Sequence, residues 1–321
     1  MDRKTVYRFR NGSHMYGLAT PKSDVDFMEV FLPTPEDVLG LKAVDIVDAS
    51  TKSSGAGRRN TADDVDDARY TLQSYLQLLL ANNPNILETL FTPVDVMEVC
   101  DPIMMPLLEH PEKVVCKRSY KSFGGYAKSQ EHKLTEKKAR YEELVKAVAY
   151  LEDKDGQYHT AIQHPAAQMD EQLAKYLNST LKHYRGAKQH DESFHVGLPM
   201  KVIYEKMREE RDTYGWRVKT DTFETLGYDV KFGYHLLRLY YEAEDLLLYG
   251  RLSFPFTGKV KDELMAVKTG KVNLDELFVK CDTLKQRVDE AFARTTLPEE
   301  PDREYLNKYL VDVMLKRFKE E

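Results

Sequence analysis

Three cysteines in 321 residues, Cys100, Cys116 and Cys281, are too few and too widely spaced for a disulfide framework or a cysteine-rich zinc site, so ordinary reduced thiols are expected. Long apolar runs are missing too. The longest, around Leu76-Gln77-Leu78-Leu79-Leu80, falls far short of the roughly 20 residues that a bilayer-spanning helix needs. Met1-Asp2-Arg3-Lys4-Thr5 leads into a strand-like segment without the apolar core of a secretory signal, which gives the expectation of a cytoplasmic protein with no membrane partner. Net basic charge is also absent. A formal charge of −6 excludes a chain coated in basic surface but allows a local basic groove, so nucleic acid is permitted as a partner without being indicated. His159, His164, His183, His190 and His195 lack the HExxH or Cys-His spacing of a zinc site, and no sequence repeat is present.

With 42% hydrophobic and 31% charged residues, the chain can bury a substantial core. Thr5-Val6-Tyr7-Arg8-Phe9-Arg10 alternates at the strand period, Val25 to Leu32 reads as a second strand, and Val65 to Tyr70 as a short third. Between the first two, Asn11-Gly12-Ser13 combines turn residues with a capping serine, and His14 to Ala19 is expected to form a short helix. Gly12-Ser13-His14-Met15 also spells a common affinity-tag scar, but it continues a strand and is read as native. Ser53 to Asn60 is a polar, glycine-bearing loop whose Arg58 and Arg59 could close over phosphates or simply be solvated. Leu72 to Leu80 is expected to be a helix stopped by Asn82-Asn83-Pro84. Beyond about residue 95 the periodicity is almost entirely helical, with segments at 120–151, 166–184, 198–214, 228–249, 273–294 and 302–319. The expected fold is α+β: a small mixed sheet in a catalytic domain of residues 1–95, followed by a helical domain of residues 96–321 that packs over the site.

The strongest chemical signal is Gly12-Ser13 followed by Asp24-Val25-Asp26. Residues two apart on a strand share a face, so Asp24 and Asp26 would set two carboxylates side by side. Hard divalent cations, Mg2+ or Mn2+, take such oxygen ligands, and two of them can clamp the attacking and leaving oxygens of a phosphoryl displacement. The Gly12-Ser13 turn, opening a helix, would present backbone N–H groups and a hydroxyl to triphosphate oxygens.

The run from Gly12 to Asp26, with its Tyr16-Gly17 and Thr20-Pro21-Lys22-Ser23-Asp24 details, resembles the signature of DNA polymerase beta-like nucleotidyltransferases, in particular a little-characterised bacterial and phage branch. Asn83-Pro84-Asn85-Ile86-Leu87-Glu88 resembles the break and Leu-Glu pair that follow that branch's third strand. Lys231-Phe232-Gly233-Tyr234-His235-Leu236-Leu237-Arg238 is similar to its late Lys, His and Arg stripe, departing from the usual Lys-His-Ala opening at Phe232 and Gly233. The resemblance implies a third carboxylate on a neighbouring strand that completes a metal site and helps activate the attacking hydroxyl. Asp66, four residues before Tyr70, is the candidate. Asp64 shares its face by alternation, Asp67 points the other way, and an acidic loop with no catalytic member is the alternative.

The helix around Tyr228 to Tyr249 is apolar on most sides and is expected to be buried, so its polar stripe of Lys231, His235, Arg238 and Glu242 needs an explanation. Buried cations must be paired or face a polar cavity. Either Lys231, His235 and Arg238 meet nucleotide phosphates or the acceptor, or acidic groups including Glu242 satisfy them. Lys117-Arg118-Ser119-Tyr120-Lys121 mixes cations with an aromatic as a nucleic-acid groove does, although a solvated helix face explains it too.

The reading is a two-metal nucleotidyltransferase using an NTP, ATP first among them, with Asp24, Asp26 and Asp66 as catalytic metal ligands. Gly12, Ser13, Lys231, His235 and Arg238 bind the nucleotide. An RNA end is the favoured acceptor, a protein side chain or a small molecule the alternatives. The rival reading from another class is an inactive nucleotide-binding scaffold.

Overall fold

The alternating N-terminal segment becomes strand β1, Lys4–Arg10, in which Tyr7 and Phe9 are fully buried while Arg8 between them faces the other side of the sheet. The computed structural model describes residues 2–21, 23–41, 44, 46–48, 67–152, 156–158, 200–218 and 225–319. Strand β2, Phe27–Leu32, runs antiparallel to β1 and parallel to β4, Asp67–Thr71; β3, Ile46–Asp48, and β5, Met97–Cys100, complete a mixed five-stranded sheet in the order β3-β4-β2-β1-β5. Strand β5 interrupts the almost entirely helical pattern expected beyond about residue 95, its short MEVC run carrying too little pattern to announce itself. The expected α+β class holds.

One face of the sheet packs on the helices that follow β4. Thr71 caps α2, Leu72–Leu80, by accepting from the Ser74 amide, and Leu72, Tyr75, Leu76 and Leu79 are buried at helical spacing. Asn82, with φ of 50°, ends the helix, and its buried amide bonds to the Leu79 and Val114 carbonyls and accepts from the Ser119 hydroxyl. Tyr7 donates from its hydroxyl to the Thr89 carbonyl at 2.9 Å, which locks β1 to the segment after α3, Pro84–Leu87. The other face holds an ionic cluster. Arg8 donates to Glu29 at 2.8 Å and to Asp67 at 3.2 Å, and Arg69 donates to Asp67 at 2.8 Å.

The described residues of 1–131 and 230–321 form one compact unit, and those of 132–229 form another. Apart from the five-residue α1, Pro35–Leu39, and four-residue α4, Met105–Leu108, the remaining helices are α5, Arg118–Leu151; α6, Met200–Val218; α7, Val230–Tyr249; α8, Gly258–Lys268; α9, Leu274–Arg294; and α10, Arg303–Lys319. An Asn273–Glu276 capping box starts α9, and Leu277, Cys281, Leu284, Val288 and Ala291 bury its inner stripe. Within the second unit, Tyr204 of α6 donates to Glu152, and Arg140 pairs with Glu210. The loop containing Arg58 and Arg59 and the helix expected at 166–184 lie outside the described residues. Among those described, no helix is long and apolar enough to cross a membrane.

Candidate active site

Antiparallel pairing of β1 with β2 forces the chain that leaves β1 at Asn11 to return beside it. Arg10 pairs with Phe27, and the Asn11 amide donates to the Asp26 carbonyl at 2.8 Å, extending the ladder by one step. Gly12 is thereby set against Asp26: a Cβ built on Gly12 would lie 3.2 Å from Asp26 Oδ2. Gly12 also has a φ of +61°, a left-handed conformation that suits glycine. Replacing it with alanine is expected to cost about 1–2 kcal/mol of backbone strain and to push the carboxylate aside. Urea denaturation with an assay of nucleotide binding separates those two effects.

The residues after Gly12 form a tight turn, not the expected helix. Tyr16 N–H donates to the Gly12 carbonyl, Gly17 N–H to His14 and Leu18 N–H to Ser13, and Gly17 reverses the chain with a φ of +70°. A side chain at Gly17 would meet Pro255 Cβ at 2.5 Å, so this contact excludes any larger residue. The N–H groups of Gly12, Ser13, His14 and Met15 donate to no acceptor among the described residues, which leaves them available as a group to an anion. Asn11 Oδ1 and His14 Nε2 are buried there without a hydrogen-bond partner among the described residues. The turn is held at its C-terminal end. Phe256 N–H donates to the Tyr16 carbonyl at 3.0 Å, Lys268 Nζ to the Leu18 carbonyl at 2.7 Å, and Tyr16 packs edge-on against Phe254.

Helix α7 is buried, as its sequence indicates, and the structure separates the members of its polar stripe. Arg238, 2% exposed, donates to Glu88 and, at 2.6 Å, to Glu242, while its guanidinium lies 4.2 Å from the Tyr16 ring centroid. Tyr16 donates from its hydroxyl to the same Glu88 at 2.6 Å. Burial opposes the Arg238 charge, but Glu242 and Glu88 outweigh it and hold the guanidinium protonated. Burial pushes the Glu242 carboxyl up to about 8 against the pull of Arg238. One cation therefore faces two carboxyls of which one keeps its proton near neutrality. For Arg238 the structure contains the acidic partners that the pairing alternative requires, Glu88 and Glu242.

Lys231 is exposed at the start of α7, and His235 is mostly buried, its ring stacked on Tyr234 at 4.3 Å. Burial, then Arg238, Lys231 and Lys268, push His235 down to about 2, so it is neutral in the folded chain. The unfolded chain takes up a proton at this position as pH falls below about 6.5 and the folded chain does not, so stability present above that pH is lost below it. Between about pH 7.5 and 5 the wild type is expected to lose about 2 kcal/mol more than His235→Gln, measured by urea denaturation at each pH.

Asp24 and Asp26 lie in the irregular segment immediately before β2, partly exposed, and not in the strand itself. Asp67 is committed elsewhere: it pairs in register with Phe27, on the Glu29 face, and its carboxylate is engaged by Arg69 and Arg8. Burial opposes its charge, but those arginines hold its pKa below the usual range. Asp64 and Asp66 lie outside the described residues. The oxygen donors around Gly12 are of the kind a hard divalent cation takes: the Asp26 carboxylate, at whose Oδ2 the missing glycine side chain leaves room, and a buried Asn11 amide oxygen with no donor among the described residues. Among the described residues no group of three His, Cys, Asp or Glu side chains forms a ready-made metal cluster.

Residues 1–312 match the RlaP family, described as an RNA repair pathway DNA polymerase beta family. The chain belongs to this family. An uncharacterized 38.9 kDa protein of Enterobacteria phage T4, from the nrdC-mobD intergenic region, is 31% identical over 138 residues, 43% of this chain; the chain spans 40% of that protein's length. No solved structure matches. RlaP membership places the chain in a DNA polymerase beta-like nucleotidyltransferase family.

In this RlaP-family chain the sequence pattern did not single out Tyr16, Tyr234 or Lys268 as site residues. Glu88 stood in plain view as a lone acid within Ile86-Leu87-Glu88-Thr89-Leu90, a run otherwise fit for a core, and a charge in such a run needs a partner. Lys268 carried no signal, being one of several lysines on an ordinary amphipathic helix. The basic segment after Cys116 is explained by ion pairs: Lys117 with Glu299 at 2.6 Å and Arg118 with Glu300.

Proposed function

We propose that the chain transfers a nucleoside monophosphate from an NTP, with ATP as the first donor to test, to a hydroxyl of RNA and releases pyrophosphate. The placement of Gly12 against Asp26 Oδ2 supports this reading, because it sets a turn whose Gly12 to Met15 N–H groups have no acceptor among the described residues beside an anionic ligand for a cation. The N–H groups of Gly12 to Met15 and the Ser13 hydroxyl hold the β- and γ-phosphates, with Lys231 and His235 on the α7 side. Arg238 acts as a positioning residue, fixing Tyr16 and through it the turn. Asp24, Asp26 and Asp66 would hold magnesium or manganese, which when bound neutralises charge on the transferred phosphoryl group and the leaving pyrophosphate. Asp66 takes the proton of the acceptor hydroxyl as its oxygen bonds to the α-phosphorus and the bond to the bridging oxygen of pyrophosphate breaks. In functional terms residues 1–95 supply the carboxylates and the phosphate turn, and residues 96–321 supply the cations and the clamp on Tyr16.

RNA is favoured as acceptor because the family is described by an RNA repair pathway. Incubation with α-labelled NTPs and magnesium, in separate cellular RNA, protein and metabolite fractions, tests it. Ribonuclease-sensitive label in the RNA fraction is the expected result. Label confined to protein identifies a protein nucleotidyltransferase instead, and no label in any fraction leaves an inactive nucleotide-binding scaffold.

A further inference from the structure

We propose that Lys268 at the end of α8 is a triphosphate-binding residue, with the neutral His235 imidazole beside it at the Tyr234 ring; this rests on the nucleotidyltransferase reading above. Three contacts place it. Its Nζ donates to the Leu18 carbonyl at 2.7 Å, so the ammonium sits at the back end of the turn that begins at Gly12. It lies 5.3 Å from the Tyr234 ring centroid, and Tyr234 is close enough to Asp26 to feel its charge. His235 stacks on that same ring. Tyr234 thus gathers the Lys268 ammonium and the neutral His235 imidazole at one ring, with the ammonium bonded to the last residue of the turn that begins at Gly12.

The chemistry of Lys268 argues for an absent anion. An ammonium carries three N–H donors, and among the described residues Lys268 uses one, on a carbonyl, with no ion pair. It is half-buried, and both burial and the like charge of Lys231 pull its pKa down. A half-buried ammonium with no ion pair among the described residues is stabilised when an anion joins it. Arg238 does not share this need, since Glu88 and Glu242 already flank it. A triphosphate supplies several charged oxygens and takes the two remaining Lys268 donors.

Equilibrium binding of ATP, inorganic tripolyphosphate and adenosine to the full chain tests this, in wild type, Lys268→Gln and Lys268→Arg. In Lys268→Gln, affinity for ATP and tripolyphosphate is expected to fall about tenfold or more, with adenosine unchanged and Lys268→Arg recovering most of the loss. Unchanged tripolyphosphate binding overturns the proposal. Equal weakening of ATP and adenosine also overturns it, since that is what loosening of the Leu18 turn alone does. A wild type that binds neither ATP nor tripolyphosphate defeats the nucleotidyltransferase reading itself. Acylation of wild-type lysines, followed by mass spectrometry, needs no variant to fold: tripolyphosphate is expected to slow modification of Lys268, and an unaltered rate contradicts the assignment.

Discussion

Asp26→Asn is expected to lower nucleotide transfer at least about a hundredfold, because it removes a carboxylate that the proposed mechanism assigns to the divalent cation. Asn keeps the shape of Asp and leaves the main-chain bond from Asn11 N–H to the residue-26 carbonyl in place, so β1 and β2 remain paired. The loss therefore reads on chemistry, and it is checked by transfer of α-label alongside the urea midpoint. Asp24→Asn is expected to behave in the same direction. A variant with full activity at both positions leaves no role for the Asp24–Asp26 pair.

The largest effect on stability is expected at Arg238. Its replacement by Met leaves Glu88, 1% exposed, without its cation, and breaking a buried pair from one side costs about 3–5 kcal/mol. The urea midpoint falls with little change in slope. Adding Glu88→Gln removes the stranded charge and is expected to restore a good part of that loss, so the two changes are strongly non-additive. Glu242 limits the damage, because its carboxyl is already shifted up to about 8 and can stay protonated when the guanidinium is gone. If Arg238 instead served the nucleotide directly, Arg238→Met would weaken nucleotide binding while leaving the midpoint almost unmoved.

The parts of this architecture legible in the sequence are those set by short-range periodicity. Helix α2 spans Leu72–Leu80 as its pattern and the Asn82-Asn83-Pro84 stop require, and the buried character of α7 follows from its apolar residues. That Gly12-Ser13 and the aspartates would point at one place was legible from a glycine after one strand and aspartates opening the next, although the strand expected from Val25 begins only at Phe27. What could not be read locally was decided by distant partners. His14 to Ala19 suits a short helix, but Gly17 adopts a positive φ against Pro255, a contact that sequence spacing does not announce. Arg238 could have faced a ligand, and Glu88, 150 positions away, neutralises it. Asp67 lies on the Glu29 face, engaged by Arg8 and Arg69, while Asp64 and Asp66, from which alternation separates it, lie outside the described residues.

The most direct test of the proposed chemistry compares an NTP labelled at the α-phosphorus with the same NTP labelled at the γ-phosphorus, in the presence of magnesium and an RNA acceptor with a free terminal hydroxyl. The account predicts α-label in the RNA, γ-label in pyrophosphate, and one pyrophosphate per nucleotide added. Appearance of γ-label in the RNA, or its release as inorganic phosphate without α-transfer, would contradict it.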